Sequence, residues 1–263
     1  MPSLLDRSRP LLPVLPAATL AVLAVLLAVP ATREAAHWLL AENHPVELLT
    51  FVFFAVGGAL GLGFSGRLRR RGEPGWVWGF YAFFAVGLLV IAGEEVAWGQ
   101  WFVGFETPDV IGDVNTQGEL TLHNYEGFND HLELFPLVFG LAGLVSVALA
   151  GTRWERVASP RPLLAWYAVI AAVCAVDLLQ DFYVLQVDFD HLVNALDEAV
   201  EMLVAIAGFL YVVLNAERSR TWGPPHPAAP FEPAFLVRPA PAGRPARDDA
   251  DAAPVPEREP TVR

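Results

Sequence analysis

The residues with the greatest chemical potential are carboxylates that lie inside or at the ends of long apolar stretches. Glu94 and Glu95 end one such stretch, and Asp177 and Glu201 lie within two others. An ionised carboxylate at the centre of a membrane helix costs about 2.5–3.5 kcal/mol, and no Arg is expected at the same depth to pair with these acids. We therefore expect this energetic cost to be offset by a water-filled cavity, by protonation, by hydrogen bonds from neighbouring polar side chains or by a bound cation.

Helical spacing groups these acids with other polar residues. Asp177, Gln180 and Asp181 fall at positions i, i+3 and i+4. A second polar stripe follows a period of roughly 3.6 residues: it contains His191, Asn194, Asp197 or Glu198, and Glu201. If both stripes meet Glu94 or Glu95, with Glu47 nearby, the result is an acidic pocket that opens outward.

The segment after Glu95 adds side chains that donate or accept hydrogen bonds but carry no permanent positive charge. They are Gln100, Asn115, Gln117, Glu119, His123 and Asn124. We expect this segment to fold over the pocket as a lid. Its first aromatic residues, Trp98, Trp101, Phe102 and Phe105, are typical of a membrane-interface belt.

Two motifs in this region resemble those of a family. Gly93-Glu94-Glu95-Val-Ala-Trp98-Gly99-Gln100 precedes Asn115-Thr-Gln117-Gly118-Glu119-Leu-Thr-Leu122-His123-Asn124. The pair resembles motifs of bacterial multi-pass membrane proteins that have no established biochemical role. The resemblance implies a membrane location and an outer site particular to that family, and it implies no catalytic residues.

The elements that must position these residues are apolar helices. Hydrophobic residues make up 54% of the 263 residues and charged residues 17%, a composition typical of membrane proteins. The apolar blocks run over 11–29, 46–64, 76–93, 135–150, 163–187 and 195–214. Since about 20 helical residues cross a bilayer, we expect an all-α integral membrane bundle of about six spans in the cell membrane.

The arginines predict the orientation of this bundle, because positive residues are enriched in cytoplasmic loops. The chain has no Lys, and its Arg residues cluster before the first block and after the second, fourth and sixth. Both termini are therefore expected in the cytoplasm. The segments without Arg, including the long loop 94–134, then face outward, and only Arg33 breaks the pattern.

Two further boundaries follow from composition. Residues 1–215 are expected to form the transmembrane domain, and the Pro-, Ala- and Arg-rich residues 216–263 a disordered cytoplasmic tail. The first block is either a retained span, which its length favours, or a signal peptide. Cys174, the single cysteine, is read as a buried structural thiol.

Three functions fit this pattern. In the first, Glu94, Glu95, His123, Asp177, Glu198 and Glu201 bind one or two divalent cations that activate water against a lipid-like or membrane-proximal substrate, with Glu94, Glu95, His123 and Glu201 at the reacting centre. In the second, the chain is a structural or interaction protein without catalysis. A proton- or cation-coupled transporter ranks third, because the inner halves of the spans are apolar.

Other functional classes lack their signatures in this sequence. It contains no glycine-rich phosphate loop, no Cys-x-x-Cys pair and no Gly-x-Ser-x-Gly motif. A basic aromatic patch for nucleic acid is also absent, so no nucleic-acid partner is expected. The expected partner is the lipid bilayer, and the arginine clusters are interpreted as topology signals and contacts to anionic lipids.

Overall fold

The computed structural model describes residues 10–41, 43–112, 115, 118–121, 134–182 and 195–223, without the side chains of residues 110 and 180–182. All of these residues belong to the unit 1–225. The described part of the chain contains helices and no strand. Its α-helices are α1 (Leu15–Ala28), α2 (Pro30–Leu40), α3 (Pro45–Arg70), α4 (Gly75–Glu94), α5 (Gln100–Val103), α6 (Asp109–Gly112), α7 (Leu134–Ala148), α8 (Leu164–Phe182) and α9 (Asp197–Arg218).

Four helical stretches in the described ranges are long and apolar enough to cross a membrane. They are α2 with α3 (Pro30–Arg70), α4 (Gly75–Glu94), α8 with its preceding turn (Arg161–Leu179), and α9 with the turn that follows it (Asp197–Thr221). The apolar helices α1 and α7 are shorter, with 14 and 15 residues. At 1.5 Å per residue each spans about 22 Å, less than a hydrocarbon core of about 30 Å.

Helix α3 lies between α4 and α9, and glycine permits the close approach. A Cβ atom at Gly58 would lie 2.5 Å from Cγ of Leu89, and one at Gly61 would lie 2.7 Å from Cβ of Ala85, both on α4. On the side of α9, a Cβ at Gly57 would lie 3.2 Å from Cα of Phe209. Small residues of this kind let membrane helices pack closely, where no hydrophobic effect drives them together.

A second pair of helices, α7 and α8, also packs closely at glycine residues. A Cβ at Gly143 would lie 2.2 Å from Cδ1 of Tyr167, and one at Gly140 would lie 2.9 Å from the backbone nitrogen of Ala171. Helix α8 also contacts α9 and α1. These contacts join the α7–α8 pair to the α3–α4–α9 group.

One end of the bundle collects the arginine-rich segments, and we call it the basic end. Arg71 donates to the carbonyl of Ser219 over 3.2 Å, and Arg156 pairs with Glu73. Arg218 donates to the carbonyl of Ala158 over 3.1 Å. The Arg-containing segments that follow α3, α7 and α9 therefore lie together, as the sequence predicts.

The exceptional residue Arg33 has a local role. Helix α1 ends at Ala28, and Pro30 starts α2 after a bend. The Arg33 guanidinium donates to the carbonyls of Leu27 over 2.8 Å and of Ala28 over 3.2 Å. A cation that caps the last carbonyls of a helix is stabilising.

The predicted apolar blocks coincide with α1, α3, α4, α7, α8 and α9 to within a few residues, apart from the last part of 163–187, which lies outside the described residues. Helix α2 was not predicted. Helix α9 ends at Arg218 and is followed by a 3-10 turn, Ser219–Thr221, so helical structure extends beyond the predicted boundary at residue 215. The predicted tail from residue 224 onward lies outside the described residues.

Candidate functional site: a carboxylate cluster opposite the basic end

Glu95 is the centre of a group of acids from three helices. It follows the last residue of α4 and is only 8% exposed. Burial raises the pKa of the Glu95 carboxyl well above its ordinary value, and the charges of Glu201, Glu198, Glu47 and Glu94, in that order, raise it further. Buried acids that repel each other favour the neutral form, so Glu95 holds a proton at neutral pH when nothing else compensates it.

The acids of α9 reach Glu95 from its first two turns. Glu198 and Glu201 are three residues apart and both half-buried, which places them on one side of the helix. Asp197, beside them, is exposed. Glu198 and Glu201 are thus among the charges that raise the pKa of Glu95, in keeping with the predicted approach of this stripe, which stays a prediction.

Glu47 and Glu94 each have a local partner as well. Glu47 lies in the first turn of α3, where it accepts a hydrogen bond from the backbone nitrogen of Asn43 and compensates the positive helix end. Oε1 of Glu94 accepts a hydrogen bond from the indole Nε1 of Trp98 over 2.6 Å. These bonds orient both carboxylates.

Asp177 is not among the charges that act on Glu95. It lies half-buried near the end of α8 and has an interaction of its own. Gln180 and Asp181 continue α8 one turn further, but their side chains lie outside the described set. The predicted approach of Asp177 to Glu95 stays a prediction.

The chain leaves α4 through a left-handed turn beside the acids. Ala97, Trp98 and Gly99 have φ of 44°, 55° and 91°, and the two non-glycine residues carry strain of order 1–3 kcal/mol each. Such strain persists where packing determines the conformation, and Ala97 is fully buried. The turn interrupts the helical spacing that the sequence suggested for Trp98, Trp101, Phe102 and Phe105.

The Trp98 ring rests on Gly93. A Cβ atom at Gly93 would lie 3.0 Å from the indole carbons Cε3 and Cζ3. Only glycine leaves the ring room to approach α4 this closely. Gly93 therefore allows Trp98 to fold back toward Glu94.

Gln100 connects the two motifs of the sequence. Its Nε2 donates to Oγ1 of Thr107 over 2.8 Å, and its Oε1 accepts a hydrogen bond from the backbone nitrogen of Leu120 over 3.0 Å. Trp101 Nε1 donates to Oε1 of Glu119 over 3.3 Å. Parts of the outer loop are thus held against the segment that follows the acids.

Asn115 and Glu119, which the sequence assigned to the pocket, make contacts within the loop. The buried Asn115 donates through Nδ2 to the carbonyl of Thr121 over 2.9 Å, and its Oδ1 accepts from the backbone nitrogen of Glu119 over 3.2 Å. These contacts shape the loop and give neither residue a contact to the acids. The remaining predicted site residues lie outside the described residues: Gln117, His123, Asn124, His191 and Asn194.

No protein-family model matches this chain, and no characterised protein or solved structure matches it either. Function must therefore be inferred from the acids themselves. Within the described ranges, no three His, Cys, Asp or Glu side chains are arranged to hold a metal ion. The predicted ligand His123 lies outside those ranges.

The cluster can bind a proton or a cation, since carboxylates repel one another until positive charge compensates them. Sequence reasoning missed two residues that support the acid cluster. Trp98 donates a hydrogen bond to Glu94, and the Trp98 ring packs against Gly93. The sequence feature that could have indicated both is the presence of glycine at positions 93 and 99. Gly93 permits the close contact with the Trp98 ring, and Gly99 permits the left-handed turn.

Proposed function

We propose that the chain is a multi-pass protein of the cell membrane with six spans and both termini in the cytoplasm. In support, the span-length helices expose large apolar side chains: Phe83 is 82% exposed and Leu179 52%. The short helices α1 and α7 are also apolar on their outer faces, where Val25 and Val138 are 60% and 62% exposed. Lipid would cover these faces, and tilt or local thinning would accommodate the short helices.

The orientation is supported by the common position of the arginine-rich segments at one end, because such residues remain on the cytoplasmic side. Single-cysteine labelling in a Cys174→Ala background tests it. A membrane-impermeant maleimide should label Thr116→Cys in intact cells and Ser8→Cys only after permeabilisation. The reverse pattern would contradict the proposed orientation.

We propose further that the carboxylate cluster, at the outer end, binds a divalent cation. The observation that carries this proposal is that the buried Glu95 carboxyl lies within electrostatic range of four other carboxylates, whose charges raise its pKa. A divalent cation would replace the proton on Glu95 and reduce the repulsion among the five acids. It would also draw the side chains closer than they lie without it.

The reaction that such a site supports best is hydrolysis of a lipid-like or membrane-proximal substrate. A divalent cation held by Glu95 and its neighbouring acids would supply an activated water. A carboxylate of the cluster would accept the proton of that water as the water oxygen bonds to the substrate, and it would pass the proton to the leaving group as the scissile bond breaks. A substrate embedded in the outer leaflet would reach the cluster laterally, beside the exposed Trp98 and Phe102. His123 is the ligand proposed to complete the set.

A structural or interaction role is the second candidate. It is favoured by Gln100, Asn115 and Glu119, whose polar groups are used to build the outer loop. An ion pathway is less favoured, because the contacts among α3, α4 and α9 around Gly57, Gly58 and Gly208 are made by apolar side chains and backbone atoms.

Elemental analysis of the purified full-length protein separates these candidates. The proposal predicts stoichiometric divalent metal in the wild type, which Glu95→Gln and Glu201→Gln should lose. Glu155→Gln, an exposed acid at the basic end, is the control and should retain it. Metal-free, folded wild-type protein would favour the structural role.

A further inference from the structure

A groove at the basic end combines arginine with apolar side chains. It lies between α3 and α9 and has a volume of about 360 Å³. Arg67, Arg71 and Arg220 line it together with Glu217, and Leu60 and Val213 are among its apolar lining residues. The charged rim therefore carries a net positive charge next to an apolar surface.

The two parts of the groove are arranged along the helices in the order that a lipid requires. Arg67 and Arg71 follow Leu60 by two and three helical turns, and Arg220 follows Val213 by two turns. The apolar residues are therefore deeper in the bundle, and the arginines are at its end. An acyl chain against Leu60 and Val213 would place its headgroup beside the guanidinium groups.

The arginines are available for such a headgroup. Arg67, Arg71 and Arg220 are exposed. Arg71 uses Nη1 on the carbonyl of Ser219, and the Arg67 guanidinium lies 5.7 Å from the ring centroid of Phe64. Guanidinium groups held in this way keep further donors for phosphate, which they bind in a bidentate manner.

From this arrangement we infer that the groove between α3 and α9 is a binding site for an anionic phospholipid of the cytoplasmic leaflet. Basic pockets between membrane helices on that side suit such headgroups. The inference rests on the proposed membrane residence and orientation, and it is independent of the cation site at the other end.

The test is lipid binding to the full-length protein in detergent, measured by native mass spectrometry with phosphatidylglycerol and phosphatidylcholine. Phosphatidylglycerol should bind more tightly. Replacing two arginines in Arg67→Gln/Arg220→Gln should weaken its binding about 30-fold and leave phosphatidylcholine unaffected. Neither side chain donates a hydrogen bond to the described backbone, so the variant is expected to fold.

The matched control is Arg69→Gln/Arg70→Gln, which removes the same charge from the same end of α3 outside the groove. Arg69 lies over Trp78 at 5.4 Å, much as Arg67 lies over Phe64. This control should bind phosphatidylglycerol like the wild type. A second variant, Val213→Trp, fills the apolar part and should weaken both lipids.

Three results would overturn the inference: equal binding of the two lipids, equal loss in both double variants, or displacement of the lipid by glycerol phosphate alone. The last would indicate a site for a soluble anion. The cysteine labelling of intact and permeabilised cells separates these failures from an incorrect orientation.

Discussion

The indole Nε1 of Trp98 lies 2.6 Å from Oε1 of Glu94, and the ring that carries it rests on Gly93. The contact joins the end of α4 to the left-handed turn that follows. It holds one carboxylate of the cluster in place by a donor that sequence spacing does not reveal. The chain adopts a strained left-handed turn at Ala97 and Trp98 where it makes this contact.

Trp98→Phe should weaken cation binding while the fold persists. Phenylalanine keeps an aromatic ring on Gly93 but has no donor for Glu94, and a hydrogen bond to a charged group contributes about 1.5–3 kcal/mol. We expect the affinity for Mn²⁺ to fall by about tenfold or more, measured by titration. Trp76→Phe, an exposed indole at the other end of α4, is the control and should bind normally.

Two glycines of α3 should respond oppositely to alanine. Gly58→Ala places a Cβ 2.5 Å from Leu89 and 2.9 Å from the carbonyl of Ala85, so we expect a loss of about 1–3 kcal/mol in the free energy of unfolding. Gly63→Ala meets no atom within 4 Å and should be neutral or stabilising by up to about 1 kcal/mol. Thermal unfolding in detergent measures both, and equal effects would contradict the described helix packing.

Stability should fall as pH rises when no divalent cation is present. The raised pKa of Glu95 means that the folded state keeps a proton that the unfolded chain loses above about pH 4. Folding therefore binds a proton in this window, and stability declines by up to about 1.4 kcal/mol per pH unit until the folded pKa is passed.

Glu95→Gln should flatten this decline and raise stability at neutral pH, because the amide needs no proton. The measurement is thermal unfolding in chelator between about pH 5 and pH 8, a range that lies within this window. Glu155→Gln should follow the wild type. An unchanged slope in Glu95→Gln would mean that Glu95 is ionised and already compensated.

Loss of the Gln100 amide should loosen the outer loop. In Gln100→Leu, Thr107 and the backbone of Leu120 lose their partner, and each lost hydrogen bond costs about 1 kcal/mol. Limited proteolysis should therefore cut between α5 and α7 several times faster, with little change in the unfolding temperature. Gln117→Leu serves as a comparison at a neighbouring glutamine of the motif pair.

The helices could be predicted from sequence because apolar length and arginine placement are strong local signals. The blocks 46–64 and 76–93 mark α3 and α4. Helix α2 was missed because Arg33, Glu34 and His37 make it too polar to stand out. Its signal is Pro30 at a first helical position.

The site was only partly predictable, because helical spacing orders residues on one helix but does not align helices with each other. Glu198 and Glu201 were placed correctly on one side of α9. Asp177 was assigned to the same pocket because it also lies within an apolar stretch and shares its helical spacing with Gln180 and Asp181. Spacing along one helix does not specify which neighbour a helix face meets, so the approach of Asp177 to Glu95 stays a prediction.

The most direct test of the proposed site is a Mn²⁺ titration of the full-length protein, with the free ion followed by electron paramagnetic resonance. The wild type and Glu155→Gln should each show one saturable class of sites, and Glu95→Gln and Glu201→Gln should bind at least about tenfold more weakly. Absence of saturable binding in the folded wild type, or equal binding in all four proteins, would contradict a cation site built on Glu95.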